Sequence, residues 1–278
     1  MLISSCKWDA VLICEEQGLA QTNVTIKELL EAGAHFGHQK RRWNPKMKPF
    51  IFAKRKGLYV IDLAKTLQAI RNSIDVVKEC VKNRQSILFV GTKKQAKDVI
   101  RSSAEECGEF YISERWLGGM LTNMSTIRHS IKTLERIEKK VSGGGGEGLT
   151  KKELSLLAKD QTKLERNLSG IRTMRKLPGL LIIVDPSQEH IAVAEARKLG
   201  IPIMALVDTN CNPDPIDYPI PCNDDALKSV KLIIEELSKC ICEQKRALNF
   251  SFGKEEALAG EAAEEKMEAE EKYSSAEA

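Results

Sequence analysis

The chain has 278 residues, of which 42% are hydrophobic and 29% are charged, and its formal net charge is +4. This length suits one sizeable domain with an accessory element, or two domains, with enough apolar residues for a buried core. No apolar run approaches the length of a membrane span, and the run at residues 10–14 is too short for a signal peptide. The eight Cys include no C-x-x-C pair, which predicts reduced cytoplasmic thiols and no metal site.

The charge is unevenly distributed along the chain. Residues 253–278 contain nine Glu against three Lys, so the remaining residues are more basic than the total suggests. A basic body with an acidic tail predicts a polyanionic partner for the body. The tail, residues 251–278, has few large apolar residues and is predicted to be disordered.

The first residues give only weak signals of secondary structure, and a strongly basic stretch follows them. Residues 1–23 show no clear period and are interpreted as an N-terminal extension. Thr25 and Glu28 predict a capping box for a short helix that ends at Gly33. Residues 35–56, HFGHQKRRWNPKMKPFIFAKRK, then contain eight Lys or Arg and no Asp or Glu.

This basic stretch is the main candidate for a binding site. Unpaired charges are almost never fully buried, so it cannot be a core segment. Lys and Arg neutralise phosphates, and the interleaved aromatic residues can stack on unpaired bases. The pattern predicts an ordered polyphosphate-binding loop. The alternative is an ordinary basic surface with Trp and Phe anchors in the core.

The next segments predict half of a βαβ unit. Short strand-like runs at 50–53 and 58–61 precede a helix from Asp62 to about Val81. A buried strand at 87–90 leads through a Gly turn into a helix predicted from Lys94 to Cys107. Lys93 and Lys94 would oppose the dipole of this helix unless an external phosphate binds there. The Gly turn before this helix contains neither a GxGxxG nor a GK[ST] motif, so no cofactor is predicted.

The segment ERWLGGMLTN at 114–123 matches no catalytic pattern. Its two glycines allow close approach of the backbone. Trp116 is predicted to be buried, and Arg115 and Asn123 are predicted to be contacts.

The spacing of apolar residues changes at residues 124–173 and predicts a protruding arm. Apolar residues follow heptad spacing on both sides of SGGGGEG, which predicts two helices in an antiparallel coiled-coil hairpin. The predicted seam comprises Ile127, Ile131, Leu134, Val141, Leu154, Leu157, Gln161, Leu164, Leu168 and Ile171. The Gly run 143–146 is predicted to be a dispensable tip.

The alternation of strand and helix resumes after Pro178. Strands are predicted at 180–184 and 203–207 and near Ile220, with helices at 188–199 and from 224 or 225 to about 248. Strands without polar alternation are typical of parallel sheets. The predicted fold is a doubly wound, flavodoxin-like α/β domain of about five parallel strands, with the protruding arm. The predicted body comprises residues 24–123 and 174–250.

Six Asp residues follow the strands of the second half and leave a second function open. They are Asp185, Asp208, Asp214, Asp217, Asp224 and Asp225. They could line a metal or phosphate site of an enzyme. Such residues more often form turns and helix caps. We therefore expect Asp185 and Asp208 to lie at separate strand ends, and Asp224 or Asp225 to cap the last helix.

Several blocks of this sequence resemble the family of the second protein of the bacterial small ribosomal subunit. They are EAGAHFGHQKRRWNPKMKPFIFAKRKGLYVIDLAKT (31–66), LFVGTKKQA (88–96), ERWLGGMLTN (114–123), LTKKE (149–153), LPGLLIIVDPSQEHIAVAEARKLGIP (177–202) and ALVDTNCNPDPIDYPIPCNDDA (205–226). The resemblance covers about residues 24–250. Lys40 stands where a small hydroxyl residue is usual in the family.

The resemblance implies a structural, non-catalytic protein of the small subunit in the cytoplasm. Its implied partners are ribosomal RNA and neighbouring proteins, including the large first protein of that subunit, with no membrane. The candidate RNA-binding residues are Lys40, Arg41, Arg42, Trp43, Asn44, Lys46, Lys48, Lys54, Arg55, Lys93, Lys94, Arg115 and Asn123. The other hypotheses are an α/β enzyme with an Asp-lined phosphate or metal site, and a coiled-coil scaffold that binds only proteins.

Overall fold

The structure is a computed structural model that describes residues 22–142 and 151–248. The N-terminal extension up to residue 21, the Gly run 143–146 and the acidic tail lie outside these residues.

A five-stranded parallel sheet forms the body. Its strands are β4 (Ile87–Val90), β5 (Phe110–Ile112), β6 (Leu180–Val184), β7 (Ile203–Val207) and β8 (Tyr218–Pro221). The order β5-β4-β6-β7-β8 is that of a flavodoxin-like sheet. The α/β class and the parallel sheet are therefore confirmed. β4, β6 and β7 are buried along their whole length, because helices cover both faces.

Two apolar clusters, one on each face of the sheet, form the core. The helices of the body are α1 (Ile26–Glu31), α2 (Leu63–Lys82), α3 (Lys97–Cys107), α6 (His190–Leu199) and α7 (227–248). One cluster joins one face of the sheet to α2, α3 and α7. The other joins the opposite face to α6 and to the first turns of the helix that begins at Met124. Among the described residues no helix is long and apolar enough to cross a membrane.

Two further helices lie between β5 and β6. They are α4 (Met124–Ser142) and α5 (Lys151–Leu168), and they pack against each other. Ile127, Ile131 and Leu134 are buried on α4, as the heptad pattern predicts. The next buried residue is Ile137, whereas the predicted seam residue Val141 is 42% exposed.

A small antiparallel sheet precedes the parallel sheet in the chain. Two of its strands match the strand-like runs predicted at 50–53 and 58–61, and the strand before them was not predicted. The small sheet comprises β1 (Phe36–Gln39), β2 (Ile51–Arg55) and β3 (Leu58–Ile61), in the order β1-β3-β2. Short 3-10 turns at Lys40–Arg42 and Pro45–Phe50 connect β1 to β2. The stretch predicted as a loop at 35–56 therefore consists mainly of two strands and two 3-10 turns. Together with β3 it forms the structure that we call the basic sheet (residues 36–61).

Three predicted helix starts were too early. α3 begins at Lys97 rather than Lys94, and α6 begins at His190 rather than Gln188. α7 begins at 227 rather than at 224 or 225. Lys93 and Lys94 therefore lie in the turn just before α3.

Candidate nucleic-acid interface

The tip of the β2–β3 hairpin projects three cations. Arg55 pairs with Leu58, so the loop contains only Lys56 and Gly57, with φ of 48° and 83°. Two positive φ values are those of a tight type I′ turn, which matches the twist of the flanking strands. This turn leaves Lys54, Arg55 and Lys56 exposed at the end of a rigid ribbon.

Trp43 and Asn44, in the basic stretch, have mainly structural contacts. The Trp43 ring lies 5.0 Å from that of Tyr59 on β3 and is half-buried. The Asn44 side chain accepts a hydrogen bond of 3.0 Å from the backbone N–H of Lys46 and so caps the second 3-10 turn. Met47, in that turn, is fully buried against the body. These contacts hold the basic segment in one conformation.

Most of the cations in this sheet have no carboxylate partner among the described residues. Lys46 is the exception, because its ammonium pairs with Asp214. Six other exposed cations have no such pair, and they are Lys40, Arg41, Lys48, Lys54, Arg55 and Lys56. Arg42 is also exposed and forms no ion pair among the described residues, but its charge acts on the Asp225 carboxylate. A like-charged surface of this kind favours a polyanion as its ligand.

The basic sheet is attached at the edge of the parallel sheet where the strands end. Thr209 follows β7, and its hydroxyl accepts a hydrogen bond of 2.8 Å from the N–H of His38. Its carbonyl accepts another, of 2.9 Å, from the N–H of Asn44. A Cβ at Gly37 would lie 2.6 Å from the Thr209 side chain, so this close approach requires glycine. The loop after β7 therefore holds the basic sheet against the end of the parallel sheet.

Lys93 forms the centre of a charged cluster at the same edge. Its ammonium lies 2.7 Å from Asp224, 2.6 Å from Asp225 and 3.4 Å from Asp185. Lys93 follows β4 and Asp185 follows β6, so the pair spans the point where the strand order reverses. Flavodoxin-like folds bind ligands at this point. Here the chain's own lysine provides the positive charge.

The cluster shifts the pKa values of its members. Burial, together with the nearby Asp185 and Asp208 carboxylates, raises the pKa of Asp224 to about 7. Burial opposes the charged form of Lys93, but hydrogen bonds to Asp224 and Asp225 hold its pKa above the usual value. An ion pair that is largely buried needs such bonds to offset the loss of water.

His38 connects this cluster to the basic sheet. Its Nδ1 lies 3.0 Å from Asp208 and its Nε2 lies 3.4 Å from Asp225. The nearby carboxylate of Asp208 raises the pKa of His38, against the effect of partial burial. A titratable imidazole therefore links β1 to the strand ends of the parallel sheet.

The structure confirms one expectation about the Asp residues and overturns another. Asp185 and Asp208 lie at the ends of β6 and β7, as expected, and both raise the pKa of Asp224. Asp185 does serve a turn, since its Oδ1 accepts a hydrogen bond from the N–H of Ser187. The cap before α7 is formed by Asn223, whose Oδ1 accepts from the N–H groups of Asp225 and Ala226. Asp224 was missed as a cluster member because Lys93 lies 131 residues away in sequence.

Three buried groups could contribute metal ligands. Atoms of Asp185, Cys211 and Asp224 lie within 4.8 Å of one another among the described residues. Burial raises the pKa of the Cys211 thiol well above its usual value, which disfavours the thiolate that a metal requires. The Lys93 ammonium contacts two of the three groups. These residues are therefore accounted for as a salt-bridge cluster.

The segment ERWLGGMLTN wraps around a buried carboxylate that sequence reasoning missed. Glu195, on α6, accepts hydrogen bonds from the Trp116 indole (3.1 Å) and from the N–H groups of Gly119 (2.7 Å) and Leu121 (3.0 Å). Both the N–H and the hydroxyl of Thr122 also donate to it, at 3.1 Å. These donors hold its pKa below the usual value even though burial opposes the charged form. The backbone N–H of Gly119 therefore binds a carboxylate of the same chain.

The predicted residues outside the basic sheet are in different environments. Trp116 is buried, as predicted. Lys94 and Arg115 are exposed. Asn123 is exposed, and its Oδ1 accepts hydrogen bonds from the hydroxyls of Ser125 and Thr126 at the start of α4. The structure therefore gives Asn123 a role in starting α4.

The comparisons with known proteins agree with the resemblance in the sequence. A family model described as ribosomal protein S2 matches residues 29–244. The chain is 69% identical over 233 residues to the small ribosomal subunit protein uS2 of Protochlamydia amoebophila, covering 84% of this chain and 85% of that protein. For the protein of the same name from Chlamydia pneumoniae, the identity is 63% over 229 residues, or 82% of each chain. The chain therefore belongs to the ribosomal protein S2 family.

Proposed function

We propose that this protein is a structural, non-catalytic component of the small ribosomal subunit, where it binds ribosomal RNA and neighbouring ribosomal proteins. Membership of the ribosomal protein S2 family supports this function. The function places the protein on ribosomes in the cytoplasm. Contact with the large first protein of the subunit follows from the family resemblance alone.

The basic sheet is the observation that carries the proposal. Six exposed cations have no carboxylate partner within the described residues, although such partners are common elsewhere on the molecule. A short-looped hairpin and a fixed attachment to the body give this surface a defined shape. A rigid surface with like charges suits the phosphate backbone of folded RNA.

The proposed RNA contacts are narrower than the sequence alone predicted. They comprise Lys40, Arg41, Arg42, Lys48, Lys54, Arg55, Lys94 and Arg115. Trp43, Asn44 and Asn123 are assigned to supporting roles, since their described contacts are internal. Lys46 and Lys93 are left out because carboxylates neutralise them. The enzyme alternative loses its main support, since Lys93 already occupies the Asp-lined edge.

We also propose the division of the chain into functional parts. Residues 24–123 and 174–250 form the body, and residues 124–173 form an antiparallel coiled-coil arm. The packing of α4 on α5 and the buried stripe on α4 support the arm. Its base is tied to the body through Glu114, which pairs with Lys97 at 2.9 Å and with Arg166. An arm oriented in this way extends the surface available to RNA and proteins.

Binding of small-subunit ribosomal RNA tests the proposal directly. The variant Lys54→Gln/Arg55→Gln should bind more weakly and reduce the slope of log affinity against log salt by about 2, one per lost phosphate contact. The matched control is Lys239→Gln/Arg246→Gln, which removes two exposed cations from α7. Equal salt slopes for both variants and the unchanged protein would remove the hairpin from the RNA interface.

A further inference from the structure

The basic sheet is a candidate site for a second polyanion that the chain itself carries. We propose that the acidic tail, residues 251–278, binds the basic sheet in the free protein and is displaced by RNA. The inference rests on the proposed function only in naming RNA as the competitor. The tail's binding to the sheet is a separate property.

Charge complementarity identifies this surface as the tail's site. The tail contains nine Glu and three Lys. The basic sheet offers a compact group of cations that no described carboxylate neutralises. The basic residues of α5 are a poorer target, because Glu153, Asp160 and Glu165 lie among them. The attraction between charges falls off with distance and is screened by salt. The tail's Glu residues should therefore be attracted more strongly to the basic sheet than to α5, where acidic residues offset the cations.

The geometry of α7 allows the tail to reach this surface. α7 begins just after Asn223, whose amide donates a hydrogen bond of 3.1 Å to the carbonyl of Gly33, next to the basic sheet. The 22 residues of α7 then span about 33 Å. Near its end, Lys245 donates a hydrogen bond to the carbonyl of Cys107, before β5 at the opposite edge of the parallel sheet. About 15 extended residues beyond 248 cover roughly 50 Å, which is enough to return.

The tether makes weak attraction effective. A segment that belongs to the same chain as its target has a raised effective concentration there, set by the length of the intervening chain. The tail therefore competes with every RNA by the same factor. An RNA that matches the whole basic surface still binds, whereas binding of short or unstructured RNA falls below a useful level. The tail thus raises the selectivity of the free protein without contacting a base.

The first experiment uses the full chain with all nine tail Glu residues changed to Gln. Its affinity for poly(U) should rise about tenfold at low salt, and the difference should vanish near 0.5 M salt because the attraction is screened. The matched control is Lys254→Gln/Lys266→Gln/Lys272→Gln, which makes the tail more acidic and should weaken poly(U) binding further. Equal poly(U) affinity of the nine-fold variant and the unchanged chain at low salt would overturn the proposal.

A second measurement separates the tail's site from the RNA site. A peptide of residues 251–278, added to the nine-fold variant, should shift the NMR amide signals of Lys54, Arg55 and Lys56. Shifts confined to α5 would overturn the assignment to the basic sheet. If the peptide binds the sheet while Lys54→Gln/Arg55→Gln leaves RNA binding intact, the tail proposal stands and the proposed function of the hairpin fails. The reverse pattern would reject the tail and keep the RNA interface.

Discussion

Lys93 and Lys54 illustrate two regions of the molecule that treat positive charge in opposite ways. Lys93 lies at the edge of the parallel sheet and contacts three carboxylates of its own chain. Lys54 lies on the basic sheet, exposed and without a carboxylate partner in the described part of the chain. Both lie in basic sequence motifs, and both were predicted to bind phosphate.

The difference shows that the location of the countercharge separates structural cations from binding cations. A half-buried lysine needs its partners within the fold, because an unpaired buried charge is very costly. An exposed lysine costs almost nothing in isolation and can remain available for a ligand. Mutations should therefore divide into two classes, one that changes stability and one that changes RNA binding.

The largest expected effect is the loss of Lys93. Lys93→Met would leave Asp185, Asp224 and Asp225 together without a cation, which should cost about 3–5 kcal/mol of unfolding free energy. Urea unfolding followed by circular dichroism measures this loss. The loss should be smaller at pH 5, where Asp224 takes up a proton and relieves the repulsion.

The neighbouring Lys94 provides the control, because it is exposed and has the same side chain. Lys94→Met should change the unfolding free energy by less than about 0.5 kcal/mol. If the two variants were equally stable, the Lys93 cluster would contribute nothing to the fold, and the two regions would not differ as described.

Glu195 is a buried anion that, like Lys93, has its partners within the fold. Its replacement should give the next largest loss of stability. Glu195→Gln keeps the shape, but its amide nitrogen would face N–H groups that need an acceptor. The expected cost is about 2–3 kcal/mol, the scale for leaving buried donors unsatisfied. Thermal unfolding measures it, with the exposed Glu106→Gln as control. A neutral outcome would show that the Trp116 segment does not depend on this carboxylate.

How much of this the sequence could predict depends on the range of the interactions. β6 and β7 are continuous apolar runs, so their burial in a parallel sheet could be predicted from local sequence. β1 could not, because FGHQ has no strand pattern and is stabilised by pairing with β3. The Lys93 cluster depends on loops that meet only after folding. The sequence could locate these charges but could not show which of them meet.

The pH dependence of stability should be the third largest effect. The folded-state pKa of Asp224 is about 7 against an ordinary value of 3.8, and the pKa of His38 is also raised. The folded protein therefore binds more protons than the unfolded chain near pH 6. Stability should fall by about 2–4 kcal/mol as the pH rises from 5 to 8. Burial raises the pKa of Glu189 and adds to the same trend.

Asp224→Asn removes the main group responsible and should flatten this dependence. His38 and Glu189 would retain part of the slope. The control is Asp214→Asn, since Asp214 is exposed and pairs only with Lys46 among the described residues. Urea unfolding at pH 5, 6, 7 and 8 gives the slope of unfolding free energy against pH for the unchanged protein and for each of the two variants. A slope in Asp224→Asn as steep as that in the unchanged protein would show that the cluster is not the source.

The smallest expected effect on stability belongs to the basic sheet and tests the other side of the comparison. Replacing Lys54, Arg55 and Lys56 together by Gln removes three like charges from one hairpin tip. Because they form no ion pair among the described residues, the unfolding free energy should change by less than about 0.5 kcal/mol. Any change should be a gain, since mutual repulsion is relieved, and it should disappear at 1 M salt, where the Debye length is about 3 Å. Urea unfolding at low and high salt measures both quantities. A loss of 2 kcal/mol or more at high salt would mean that these cations stabilise the fold, and the distinction between the two regions would fail.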